Sequence, residues 1–174
     1  MKYIFSAILL FLSNFTFAVC NTSTLKESTP NTEFIVDNVS HTVTHLKTGL
    51  MWKQCSEGLS TTTIACDTGA ATTGTWAQSL KLANSSAFAT FTDWRLPNIK
   101  ELGSILELSC IPSINSSIFI NTVSKPYWTS TPVIINGAIA ANTLVWLMNF
   151  GAGGAYRGDI SSITAYTRLV RGGR

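Results

Sequence analysis

Charge is what this chain has least of. Only 12% of its 174 residues are Asp, Glu, Lys or Arg, and between Leu102 and Tyr156 the only charges are Glu107 and Lys125. The net charge of +3, or +2 once Lys2 leaves with a leader, is too small to mark a nucleic-acid partner. Histidine is scarcer still, with His41 and His45 the whole complement. Four apart, they would suit zinc on a helix, but they sit among Val and Thr in a strand pattern. No Glu lies between them and no cysteine is near, whereas a metal needs three or four convergent ligands. They read as strand histidines at or near the surface, with no metal. A G-x-S-x-G elbow is missing, as is a cysteine paired to a base, so the sequence predicts no enzyme and no cofactor. Repeats and a collagen-like stem are absent too. What remains is 45% hydrophobic, which excludes disorder, in a chain long enough for one domain with a real core.

Met1 to Ala18 reads as a secretory signal peptide: Lys2, an apolar run from Ile4 to Leu12, and Thr16-Phe17-Ala18 as the cleavage site. Ser13 and Asn14 cut the run short of the roughly 20 residues a membrane anchor needs. Cys20 raises lipidation as a rival, but Val19 is a poor residue before a lipidated cysteine. Export to the periplasm, cell surface or medium follows, with no transmembrane span after the leader is removed. Residues 19–33 are polar and irregular, and 34–174 form the domain.

Phe34 to Lys53 reads as a β-meander with turns at Asp37–Ser40 and Lys47–Gly49. A Ser/Thr/Gly-rich loop runs from Cys55 to Thr75. A helix capped by Thr75 follows, with Trp76, Leu80, Ala83 and Ala87 on one face. Pro97 blocks an earlier start to the second helix, Asn98 caps it, and Glu101 completes a capping box. Ile99, Leu102, Ile105 and Leu106 continue at helical spacing, with Pro112 marking the end. Ile111 to Lys125 is a long loop. Tyr127 to Thr131 is an aromatic strand, and Asn136-Gly137 is the strongest two-residue hairpin signal. Leu144 to Phe150, apolar on both faces, suits a central strand. Gly151–Gly154 is a turn without the helix that a phosphate loop needs, and Tyr166 to Arg171 is the last strand. Arg168, Arg171 and Arg174 give the chain a locally basic end.

Three stretches carry a resemblance. Asp93-Trp94-Arg95-Leu96-Pro97-Asn98-Ile99-Lys100-Glu101-Leu102, Thr42 to Trp52, and Tyr127 to Thr131 resemble signatures of the Lcl C-terminal domain family, named for bacterial collagen-like adhesins. The likeness runs from about Phe34 to Arg174. His45 stands where relatives usually carry an acid. The resemblance implies an α+β fold, more distantly a C-type-lectin-like domain, with a largely antiparallel sheet, two helices and long loops. It places the Leu50 region near Leu169. It also implies an adhesin-like binding module whose partner is an extracellular glycan or polymer, sulfated polysaccharides among them. The alternative is a structural or assembly protein of the cell envelope.

Asp93, Arg95, Glu101 and Arg171 read as ion pairs and caps ahead of a polar binding site, because charges among core aromatics have to be paired. Trp52, Trp94, Trp128 and Trp146 read as core ahead of a sugar platform. Four cysteines allow three pairings. Cys55 and Cys66 bracket one loop and are paired here, which leaves Cys20 for Cys110. The lectin-like resemblance implies a candidate ligand surface in the loops Pro132–Asn142 and Gly151–Thr164. It offers Asn136, Asn142, Tyr156, Arg157 and Asp159, with the Tyr ring for a sugar face and the guanidinium for an acidic group.

Overall fold

The computed structural model describes residues 19–60, 65–135, 137–139 and 143–172. The leader, Asn136, Asn142 and Arg174 lie outside the described residues. In chain order the strands are β1 (Val19–Cys20), β2 (Phe34–Asp37), β3 (Thr42–His45), β4 (Leu50–Lys53), β5 (Thr73–Gly74), β6 (Cys110–Ile111), β7 (Pro126–Pro132), β8 (Ile134–Ile135), β9 (Ala138–Ile139), β10 (Leu144–Asn149), β11 (Gly154–Asp159), β12 (Ala165–Tyr166) and β13 (Val170–Gly172). Helix α1 (Trp76–Asn84) falls after β5, and α2 (Ile99–Gly103) precedes β6.

The meander forms with the turns that the sequence predicts. Val36, Val43 and Trp52 lie in one row across β2, β3 and β4, and Val170 of β13 extends that row beyond β4. The C-terminus therefore pairs with the Leu50 strand, Gly172 opposite Leu50. The second sheet runs β11-β10-β7-β12-β5, antiparallel except where β12 lies parallel to β7. Alternate residues of this sheet enter two cores. Met148, Phe150 and Tyr127 join Trp52, Leu102 and Phe119 on one side. Val145, Leu147 and Trp128 join Trp94, Leu169 and Ala83 on the other. Covering β10 on both faces is what its two-sided apolar pattern requires.

Both helices start where the caps predict. Thr75 and Gln78 exchange bonds at the head of α1, as do Asn98 and Glu101 at the head of α2. On α1 the buried stripe is Ser79 and Ala83 flanked by Trp76 and Leu80; Ala87 lies past the helix and is exposed. The second helix is shorter than its periodicity suggested. It stops at Gly103, a poor helix former, and Ser104 Oγ donates to Glu101 O at 2.7 Å. Ile105 is buried nevertheless, and Leu106 turns to bridge Ile114.

The last strand is also not one strand. Tyr166 belongs to the five-stranded sheet and Val170 to the four-stranded one, so Thr167–Leu169 cross between them. Arg168, one of the three arginines of the locally basic end, lies at that crossing and is fully buried. The disulfides are Cys20–Cys110 and Cys55–Cys66, as paired from the sequence. Because Cys20 Sγ is bonded to Cys110, it is not available for lipidation.

Candidate functional site

Three charged residues of the Asp93–Leu102 motif, Asp93, Arg95 and Glu101, are spent on the fold. Arg95 backbone N–H donates to Val170 O at 2.9 Å and its C=O accepts from Val170 N at 3.0 Å, so the motif adds a bridge to the free side of β13. Its guanidinium donates twice to Glu101, at 2.8 Å each, and once to Gly172 O at 3.1 Å. Burial pushes the Glu101 carboxyl up, but the Arg95 fork and the Asn98 N–H outweigh it and hold it below the usual range. Arg171 forks onto Asp93 at 2.7 and 3.2 Å and lies 3.6 Å from the Phe91 ring centre. Trp94 is buried, with its indole N–H on Phe88 O at 3.0 Å, and Pro97 O accepts from Ser130 N at 2.8 Å. Trp52 and Trp128 have no exposed surface.

A second polar centre was not legible as such in the sequence. Arg168 donates to Lys53 O, Gln54 O, Ser56 Oγ and Thr122 Oγ1, with its cation over Phe119. Its charge is held by carbonyl and hydroxyl oxygens, and burial lowers its pKa. Ser56 Oγ also meets Tyr127 Oη at 2.7 Å, and burial raises that phenol. None of this opens to solvent, so it clasps two sheets and cannot meet a ligand.

Glu107 pins the N-terminal segment in the same way. Six bonds of 2.7–3.2 Å reach its carboxylate from the backbone N–H and hydroxyl groups of Ser28, Thr29 and Ser109. Burial opposes ionisation, but these donors bring the pKa down to about 2. A polar concavity of about 370 Å³ lies beside it, lined by Asn31, Asn115 and Ser117 among others. Those three side chains are already bonded to one another.

The histidines correct the sequence reading. His45 is 2% exposed, stacked on Phe34 with ring centres 4.8 Å apart. Its Nδ1 lies 3.0 Å from Thr48 Oγ1 and its Nε2 3.6 Å from Glu33 Oε2. Desolvation lowers its pKa, so the core position takes a neutral ring. His41 sits at a turn with φ +52°, not in a strand. Among the described residues no three His, Cys, Asp or Glu side chains come together to hold a metal.

The predicted ligand surface is divided by the fold. The β8–β9 hairpin and Asp159 share one end of the five-stranded sheet, since Leu144 pairs with Asp159 and accepts from Val133 N. The Gly151–Gly153 turn is at the other end. Tyr156 and Arg157, adjacent in sequence, point to opposite faces of β11. Tyr156 is 37% exposed, and partial burial raises its pKa. Asp159 Oδ1 accepts from Ser161 N and Oγ at 2.8 and 2.5 Å, which shapes a turn; the Ser161 hydroxyl lowers its pKa. Arg157 instead lies opposite Trp146 on β10, its Cζ 5.7 Å from the indole centre. Trp146 is half-buried, unlike Trp52, Trp94 and Trp128. Arg157 has no carboxylate or other hydrogen-bond partner among the described residues.

These features define a disulfide-stapled α+β domain with a largely antiparallel framework, in which β13 pairs with β4. The chain belongs to the Lcl C-terminal domain family, whose model matches residues 41–171. That family is associated with surface adhesin-like proteins. No curated protein matches the chain.

Proposed function

We propose that this is an exported, non-catalytic binding module of the cell surface or periplasm, and that it holds glycan on the β10–β11 face. The observation that carries this is Trp146 with Arg157: a half-open indole beside a guanidinium that no carboxylate satisfies. An indole face stacks on the apolar face of a sugar, and a free guanidinium forks to a carboxylate or sulfate. Asp93, Arg95, Glu101 and Arg171 are internally partnered, so they hold the scaffold while this pair stays available. One cation gives weak, salt-sensitive affinity for a polyanion. Two disulfides suit an oxidising compartment. Among the described residues no helix is long and apolar enough to cross a membrane. The more distant C-type-lectin-like kinship is part of the same proposal.

Envelope assembly without a small ligand is the second reading, and the internal pairing of Asp93, Arg95, Glu101 and Arg171 favours it. A glycan array probed with wild type and with Trp146→Ala separates the two. Binding to anionic glycans that the variant loses supports the module; no binding to any glycan moves assembly ahead.

A further inference from the structure

The β11 edge of the five-stranded sheet is open. β10 and β11 oppose each other from Leu144/Asp159 to Asn149/Gly154, and one step further Ile160 N–H donates to Thr143 O at 2.8 Å. Antiparallel alternation then aims the N–H and C=O groups of Gly154, Tyr156 and Gly158 at β10, and those of Ala155, Arg157 and Asp159 outward. Leu144 O, on the other side of β10, accepts from Val133 N, which agrees with that alternation. The following turn uses Asp159 O, which accepts from Ser162 N and Ile163 N at 3.4 and 3.3 Å. Ala155 and Arg157 remain. Both are exposed, and their outward N–H and C=O groups have no partner among the described residues. Open edges are ordinarily guarded by proline, a bulge or charged side chains, lysine above all. Gly154-Ala155-Tyr156-Arg157-Gly158-Asp159 has no proline, lysine or bulge, its register to β10 is unbroken, and its only charges, Arg157 and Asp159, are of opposite sign.

We propose that this edge pairs with the same edge of a second copy, antiparallel about a two-fold axis at Tyr156. Self-complementarity selects both the occupant and the register. About that axis Ala155 of each copy faces Arg157 of the other, and the four outward groups on each strand become reciprocal hydrogen bonds. Each arginine meets a methyl group, not another arginine. Centring the pair on Arg157 would set like charges directly opposite, which is unfavourable. Centring it on Gly158 would call on Asp159 O, already used by the turn. At Tyr156 the two phenol rings meet in a non-hydrogen-bonded pair, the closer of the two antiparallel spacings, and each covers the other's exposed face. On the opposite face each Arg157 stays over its own Trp146, so two such pairs share one continuous sheet. The paired segment is short and covers far less than the roughly 800 Å² per partner of a stable interface, so the dimer is weak and concentration-dependent. The inference rests on the edge geometry alone and stands whether or not glycan binds.

Sedimentation equilibrium of the full chain, disulfides intact and glycan absent, tests it. The mean mass of wild type rises toward twice the monomer with loading concentration. Ala155→Pro removes an outward donor while leaving the β10 ladder intact, and weakens association by about tenfold or more. Tyr156→Lys places like charges at the axis with an exposed side chain, and does the same if the proline variant fails to fold. Mild oxidation cross-links Tyr156→Cys into a dimer and leaves Arg157→Cys monomeric. Wild type that stays monomeric throughout, variants that associate like wild type, or Arg157→Cys cross-linking as readily as Tyr156→Cys would each overturn the proposal.

Discussion

Acid should loosen the hold of the domain on Ser28 and Thr29 through one residue, Glu107. The carboxylate is 2% exposed and takes six hydrogen bonds, which hold its pKa at about 2 against an ordinary 4.5. At about 1.4 kcal/mol per unit, that difference corresponds to about 3 kcal/mol of stability. Because the folded pKa lies below the unfolded one, the contribution is whole above pH 4.5. It is lost as pH falls from 4.5 through about 2. Other carboxyls with depressed pKa values, Glu101 and Asp159 among them, add their own acid dependence. The difference between wild type and Glu107→Gln isolates the one group. Gln presents an amide NH2 to donors on Ser28, Thr29 and Ser109, so the variant should lose about 2–4 kcal/mol at neutral pH. Urea unfolding at a series of pH values reads both effects. The two stability curves should converge as pH falls below 4.5; curves that stay parallel there would refute the assignment.

Arg168→Met should cost about 3–5 kcal/mol by urea unfolding, because it strands the buried oxygens of Lys53, Gln54 and Thr122; a loss below about 1 kcal/mol would mean the clasp is idle. Trp94→Ala empties a buried site beside Phe88 and should cost about 3–5 kcal/mol. If it melts like wild type, the motif is not a hub. Replacing both Cys20 and Cys110 by Ala should lower stability by about 4.5 kcal/mol, and replacing Cys55 and Cys66 by about 3, since the first bridge closes the longer loop. The reverse order in thermal melts would point to loop structure that persists when unfolded. Gly58→Ala should destabilise whatever its neighbours do, because φ is +88° and an added Cβ would meet Ala70 O and Thr72 N.

Where a local signal had no competitor, the sequence was legible. The meander, the β8–β9 hairpin, both capping boxes and the two-sided β10 follow from turn signals, caps and apolar runs alone. The disulfide pairing followed from loop position. Long-range packing was not legible. Ile105 and Leu106 kept helical spacing, yet Gly103 and Ser104 ended the helix and let the same residues reach the core by another route. Tyr166 to Arg171 reads as one short strand, and nothing local says where the chain changes sheets inside it. Arg168 had no sequence mark of burial, because its partners are backbone carbonyls and hydroxyls far away in the chain. The division of the ligand surface was hidden for a simpler reason. Neighbours in a strand face opposite ways, so Tyr156 and Arg157 cannot share one sugar, and Arg157 found Trp146 across the ladder. A strand assignment for β11 would have exposed that pairing.

The glycan claim turns on which face of β11 meets the ligand. Heparin and a neutral glycan panel should be titrated against wild type, the Trp146→Ala, Arg157→Ala double variant, and Tyr156→Ala, each checked for an unchanged melt. Weak heparin binding that falls with salt, is lost in the double variant and survives Tyr156→Ala is the predicted result. Heparin binding that persists in the double variant, or no binding by wild type, would contradict it.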